Sequence, residues 1–397
     1  MNLKTKVLYL VSFAAFLRSF AQVIYTPSLA VMRVDLNATT AMLGLTISIY
    51  GLCLAFAQIA YGPIVDRFDS KRILLIGLAL YFLGSSSAYF TRGIGLLLIA
   101  RGLQALGIAA AAGVGIALIS DLFPTNERGR AMGVFSMFNS AGAASGPAFG
   151  GLIAVWLSWR ADFLILAIIT VILLAFTIWQ LPAQPVHGQK VGLSDMWMIA
   201  RTLPTFGALT LGFVHFYGIY TIHTLTPILL ADKMSLHEAG IGAVSTMTAL
   251  GVIFGTYVGG RASDQRGMRF TLIMGVIGAT LSLGVITFIS AIATSSMSPI
   301  VVGAGLLVFG LTAGYGFAAQ LNIMVEYFPS MRGTAGALQF FARFIGTTLA
   351  PLIAGYLADG LGVPSGFGLA TGLLALGAVI AYFTVANPVR VVEVVTE

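Results

Sequence analysis

Three arginines lie inside apolar runs long enough to cross a bilayer: Arg18 in FLRSF (16–20), Arg101 in ARGLQ (100–104) and Arg343 in ARF (342–344). A guanidinium at that depth is costly unless it is paired or faces water. The nearest carboxylates, Asp121, Asp162, Asp232 and Glu326, fall near the ends of the runs, so the interior is expected to hold cations without acids. Arginines in a wet cavity focus a positive potential. They can grip a carboxylate or phosphate by charge-assisted, bidentate hydrogen bonds. The other reading is that they cap backbone carbonyls or polar side chains such as Gln320 and Asn322, and that the ligand is neutral.

The stretch FVHFYGIYTIHT (213–224) adds His215 and His223. Eight residues apart, they share a helix face. Histidine is the side chain whose unperturbed charge change falls near neutral pH, which makes His215 a candidate proton carrier. Gln22, Tyr25, Gln104, Tyr217, Tyr315 and Asn139, the position that answers Arg343 in the first half, supply further polar and aromatic surface. Two histidines and the single Cys53 make no metal site. No HExxH, P-loop or Ser/His/Asp constellation is present, so an enzyme or an ATP-driven pump is not expected.

The elements that carry these residues are set by composition. Of the 397 residues, 58% are hydrophobic and 9% charged, and mean hydropathy is +0.95. A soluble domain carries roughly 25% charged residues. Twelve apolar runs follow one another, near 7–32, 41–65, 73–91, 94–120, 131–157, 163–181, 205–231, 239–260, 270–294, 299–325, 334–358 and 366–386. Each is long enough for a spanning helix, which needs about 20 residues. Of the 21 lysines and arginines, 14 fall at the termini and alternate loops, whereas the opposite loops hold only Arg33, Arg92, Arg160 and Lys233. Basic residues stay on the cytoplasmic side, so both termini are expected there. The net charge of +7 is therefore a matter of membrane orientation and not of nucleic-acid binding.

The two halves repeat each other. YTPSLAVMRVDL (25–36) is answered by LTPILLADKMSL (225–236), and GPIVDRFDSKR (62–72) by GRASDQRGMR (260–269). Pro147 and Gly151 are answered by Pro351 and Gly355. The expected division is 1–181, a cytoplasmic linker at 182–204 with one short interfacial helix, and 205–397. Such a duplication places a binding site where the repeats meet, near the midplane. GAASGPAFGG (142–151) sets Gly142, Gly146 and Gly150 on one helical face, where a partner helix can come very close. Pro147 sits in the same segment, where neighbours can meet the hydrogen bond it forgoes.

These motifs resemble the major facilitator superfamily, and within it the twelve-span drug and proton antiporters. The resemblance covers essentially the whole chain. It implies an all-α membrane fold of two pseudo-symmetric six-helix halves that work by alternating access. By the same resemblance, Gly62, Asp66, Arg67, Arg72 and Asp264 form a conformational latch, with Asp69 standing where the family usually has glycine. Gly142, Gly146, Pro147, Gly150 and Gly151 match the motif associated with exporters, and Arg101 with Gln104 the span-four motif implicated in proton coupling. The expected activity is export of an amphipathic or anionic small molecule in exchange for protons. The alternative is an organic-anion exchanger or uptake carrier driven by a counter-anion. A non-transporting sensor is disfavoured by the short tails. A monomer in the plasma membrane (the inner membrane in a bacterium) is expected, driven by an ion gradient without a cofactor. Its partners are then the transported molecule, protons and lipid, with no nucleic acid.

Overall fold

In the computed structural model of the protein, residues 3–181, 198–199, 201–328 and 331–386 are described. They are helical throughout, with no strand among the described residues. In lipid every backbone polar group must be met within the segment, and a helix does this alone. The helices are α1 (Leu3–Val23), α2 (Leu29–Asp35), α3 (Thr40–Arg67), α4 (Ser70–Tyr89), α5 (Ile94–Leu122), α6 (Thr125–Trp156) and α7 (Trp159–Gln180). They continue with α8 (Leu203–Met234), α9 (Glu238–Arg266), α10 (Met268–Ile292), α11 (Pro299–Tyr327), α12 (Arg332–Leu361) and α13 (Val363–Thr384). Among the described residues eleven candidate spans are long and apolar enough to cross a membrane. The helix outside that set is α6, whose first turn carries Glu127 and whose 32 residues begin six residues before the apolar run at 131.

The first apolar run is broken. Pro27 lacks an N–H, and α1 gives way to a 3-10 turn at Thr26–Ser28 before α2 resumes. Helix starts are set by side chains that take up free N–H groups. Asp69 accepts from Lys71 N at 3.2 Å, so the residue that departs from the family pattern caps α4. Ser158 caps α7, and His237 caps α9. Single glycines join α9 to α10 and α12 to α13. Gly267 (φ 87°) and Gly362 (φ 86°) adopt backbone angles that a side chain disfavours.

The chain divides into two compact units. Unit 1 comprises 1–38 and 45–190, and unit 2 comprises 39–44 and 191–397. The segment 39–44, at the start of α3, thus packs with the second unit. There the Asp359 carboxylate accepts the N–H groups of Thr40 (3.0 Å) and Ala41 (2.8 Å). The expected linker falls largely outside the described residues, which resume continuously at 201.

In unit 1, α1 packs on α6, and α4 packs on α5 and α7. A Cβ at Gly142 would strike the carbonyl of Phe16, and one at Gly150 the carbonyl of Ile24. The glycine face of α6 therefore lets α1 approach to backbone contact. In unit 2, α8 packs on α12 in the same way, with Gly346 against the Phe213 carbonyl.

Candidate functional site

Unit 1 gathers five of the expected site residues. Arg18 donates to Asn139 Oδ1 at 2.8 Å across the α1–α6 seam, and Ser19 Oγ donates to the same oxygen at 2.6 Å. Tyr50 from α3 donates to the Arg18 carbonyl at 3.1 Å. Arg101 is sealed, with no exposed surface. Its Nη1 donates to Gln104 Oε1 (2.8 Å) and to the Ala21 carbonyl (3.1 Å), and its Nε to the Thr46 carbonyl (3.5 Å). Its guanidinium lies over Tyr50 (4.1 Å to the ring centroid) and Tyr25 (4.6 Å). Gln104 passes the chain on to Ser85 Oγ at 2.8 Å, and Tyr25 shares a hydrogen bond with Thr46 Oγ1 at 2.8 Å. Arg101 is thus a brace that ties α1, α3 and α5 together, and its charge is met by carbonyls, an amide oxygen and two π-faces. Gln22 is buried nearby in sequence, and its Nε2 has no partner among the described residues.

The second cluster, in unit 2, centres on Arg343 of α12. Its Nη2 donates to Gln320 Oε1 on α11 at 2.6 Å. The guanidinium sits among three rings, Phe216 (5.2 Å), Phe317 (5.5 Å) and Phe340 (5.6 Å). Its Nε and the Gln320 Nε2 are buried donors with no acceptor among the described residues. His215 on α8 packs against Phe317 from another side, at 5.8 Å between centroids. Its Nδ1 meets the Leu211 carbonyl at 2.9 Å, and its buried Nε2 has no partner. Because a carbonyl only accepts, Nδ1 carries the hydrogen and Nε2 is left to take up a proton. Tyr217 is buried beside Phe213 with its hydroxyl unmet. Tyr315 stays outside this cluster: it is half-buried, and its carbonyl abuts Gly259 of α9.

The two clusters are versions of one arrangement. Gly142 lies against Phe16 O and Phe20 N, and Gly346 against Phe213 O and Tyr217 N. By the same spacing Arg18 corresponds to His215, and Asn139 to Arg343. The cation sits on the first helix of the pair in unit 1 and on the second in unit 2.

The latch motif is described only in part. Gly62, Asp66 and Arg67 fall on the last turns of α3, and their side chains lie outside the described residues. Arg72 and Asp264 are exposed at the ends of α4 and α9. Pro147 is buried within a continuous α6, and Gly151 beside Gly150 is buried as well. Several partners escaped sequence reasoning: Ser19, Thr46, Ser85, Gln339 and the phenylalanines around Arg343. Helical spacing signals Gln339 and Phe340, each about one turn from Arg343, whereas Thr46 and Ser85 come from other helices and carry no local signal. Asp162 lies near a span end, as expected, in the first turn of α7, and it is 0% exposed inside unit 1. The cause is its place on the face of α7 that also buries Trp159, Phe163 and Leu166.

Comparisons with known proteins agree with this architecture. The chain is 25% identical over 372 residues to the multidrug resistance protein D of Escherichia coli (strain K12), covering 92% of each chain. It is 27% identical over 387 residues to the cis,cis-muconate transport protein of Acinetobacter baylyi, covering 91% of this chain and 90% of that one. Its fold matches the crystal structure of a bacterial homologue of the human lysosomal transporter Spinster, inward-facing and occupied. The TM-score is 0.85 at 17% identity, over 98% of both chains. The family model described as Major Facilitator Superfamily matches residues 11–343 and 208–396. Motifs, helix count, paired clusters and these matches lead to one assignment: the chain belongs to the Major Facilitator Superfamily, and is a membrane transporter and not an enzyme.

Proposed function

We propose that this transporter exports a small amphipathic molecule bearing a carboxylate or similar anionic group, in exchange for protons. The observation that carries this reading is the surplus of donors around Arg343. The Arg343 Nε–H and the Gln320 amide hydrogens are buried without an acceptor, and the Gln320 oxygen is already taken by Arg343. Unmet buried donors are costly, and an anionic oxygen is the group that meets them best. Phe216, Phe317 and Phe340 offer an apolar bed for the rest of the molecule. A relative named for cis,cis-muconate, a dicarboxylate, supports the choice of an anion. The exporter glycines and the relative named for multidrug resistance support outward movement.

In this reading Arg343 binds the anion, Tyr217 helps to shape the ligand space of unit 2, His215 takes the proton at Nε2, and Arg18 and Gln22 are candidate ligands within unit 1. Arg101 is a positioning residue that lies over Tyr25 and over Tyr50, whose hydroxyl donates to the Arg18 carbonyl. The protein works as a monomer without a cofactor, both termini lie in the cytoplasm by the distribution of basic residues, and Gly62, Asp66, Arg67, Arg72 and Asp264 latch the cycle. A second reading has a specific observation behind it. A proton on His215 adds positive charge to the ring packing that holds Arg343, and this strengthens anion binding. Proton and anion then travel together.

The test uses the purified protein in liposomes that trap a pH indicator. Organic anions, neutral amphiphiles and cationic dyes are added in turn. Export by exchange moves protons opposite to an added anion, and cotransport moves them with it. Arg343→Gln is expected to reduce the anion-dependent signal roughly tenfold to a hundredfold, the worth of about 1.5–3 kcal/mol for a hydrogen bond to a charged group. A signal from cationic dyes alone, unchanged in Arg343→Gln, overturns the anion reading.

A further inference from the structure

Asp162 lies in the first turn of α7, just past its Ser158 cap. It is fully buried, and neither carboxylate oxygen has a hydrogen-bond partner among the described residues. Its neighbours are committed elsewhere. Arg160 Nη1 and Trp159 Nε1 both hold Asp35 Oδ2, at 2.6 and 2.9 Å. Arg160 also donates to the Thr91 carbonyl through Nε and Nη2. Phe163 packs at a tilt on Tyr25 and edge-on to Trp159. The N–H groups that a helix start offers are also taken, since Arg160 N reaches Ser158 Oγ and Ala161 N reaches the Ser158 carbonyl.

The helices packed on α7 bring few ionisable groups. Beyond Arg72, α4 carries only Tyr81 and Tyr89. Beyond Lys6, α1 and the turn after it carry Tyr9, Arg18 and Tyr25. Residues 131–156 of α6 carry none, and neither does α7 after Asp162. Lys71, at the start of α4, is spent on the Ile178 carbonyl at the other end of α7. Arg18 engages Asn139. Among the described residues no cation therefore stands against Asp162. An ionised carboxylate here has given up its water and gained no partner, which is the costliest state for a buried acid. The helix dipole offsets that cost only in part. A neutral carboxylic acid fits the same space without penalty from charge.

We propose that Asp162 is a proton-binding site of the transport cycle. The carboxyl holds its proton while the first turn of α7 is packed as it is here. When that packing opens to water the O–H bond breaks, the electron pair stays on the carboxylate and the proton leaves to water. The site belongs to unit 1, whereas His215 belongs to unit 2, so it is a second proton position and not part of the Arg343 cluster. The inference rests on the proton-coupled reading above.

Two measurements test it. Infrared difference spectra of the protein in lipid, taken across a pH series, should show an acid carbonyl band at neutral pH that shifts in heavy water and is missing in Asp162→Asn. This readout needs no transported solute, so it decides Asp162 even where the anion reading fails. A spectrum in which Asp162→Asn changes no acid band overturns the proposal. Labelled cis,cis-muconate then serves as the transport probe. Asp162→Asn, which keeps the shape of the neutral acid, should leave downhill exchange within twofold of wild type and lower accumulation driven by a pH gradient at least tenfold. Wild-type accumulation in that variant also overturns the proposal. If neither protein moves muconate, the substrate reading is at fault and the infrared band alone decides. If the variant does not insert, Asp162→Glu replaces it, with a shifted acid band as the expected result and an unshifted one as the overturning result.

Discussion

At the residue scale, Arg101 and Arg343 look alike in the sequence and differ in the folded chain. Both stand in apolar runs, and both are buried. Arg101 spends Nε and Nη1 on two carbonyls and Gln104, keeps Nη2 without an acceptor among the described residues, and lies between two tyrosine rings. Arg343 keeps Nε unmet in a bed of phenylalanines. Their substitutions should therefore read out differently. Arg101→Lys keeps the charge but loses the planar fork. It leaves the Gln104 oxygen and two carbonyls short of donors, at about 1–3 kcal/mol for each unmet group. The expected result is a lower unfolding temperature in detergent, with KM for a transported anion within twofold of wild type in the folded fraction. A KM raised tenfold with unchanged melting would instead make Arg101 a direct ligand. That an arginine and a glutamine three apart would pair was legible from the sequence; that Tyr25 and Tyr50 would close over them was not, because both come from other helices.

At the scale of elements, packing is set by where the backbone can approach. The α1–α6 seam depends on Gly150, where a Cβ would land on the Ile24 carbonyl. Gly150→Ala should cost about 1–3 kcal/mol, the usual cost of overpacking. Gly133→Ala on the same helix, with nothing within 4 Å of the added carbon, should stay within about 0.5 kcal/mol. Thermal unfolding of the two variants side by side checks this, and equal melting would contradict the backbone contact. The start of α3 is held by the Asp359 carboxylate. Asp359→Ala removes that cap, and amide hydrogen exchange at Thr40 and Ala41 should rise roughly fivefold, the equivalent of a cap worth about 1 kcal/mol. The glycine face of α6 could be read from the spacing of Gly142, Gly146 and Gly150. The Asp359 cap could not, since its partners lie more than 300 positions away.

At the scale of the whole molecule, the duplication is visible twice. It appears in the sequence as recurring motifs, and in the structure as two helix pairs with the same glycine contact, Gly142 on Phe16 and Gly346 on Phe213. Within that shared frame the polar pair has exchanged its chemistry. Unit 1 joins Arg18 to Asn139, and unit 2 sets His215 and Arg343 at the corresponding places. Duplication therefore kept the backbone approach and let the charge change helices. The side chains at these points are released from the packing constraint, because the close contact itself is made by glycine and backbone.

The sequence alone determined the membrane class, the rough bounds of the helices, the duplication and the close helix seams. These follow from local quantities: hydropathy over about 20 residues, helical spacing, and glycine and proline at defined positions. Only the tertiary structure decided which polar atoms are met. It broke the first apolar run at Pro27, closed Arg101 behind tyrosines, left Arg343 and His215 with open hydrogen-bonding atoms, and buried Asp162 without a partner. The physical reason is that a hydrogen bond in lipid is settled between helices. Arg18 and Asn139 are 121 residues apart, and no local pattern reports that distance.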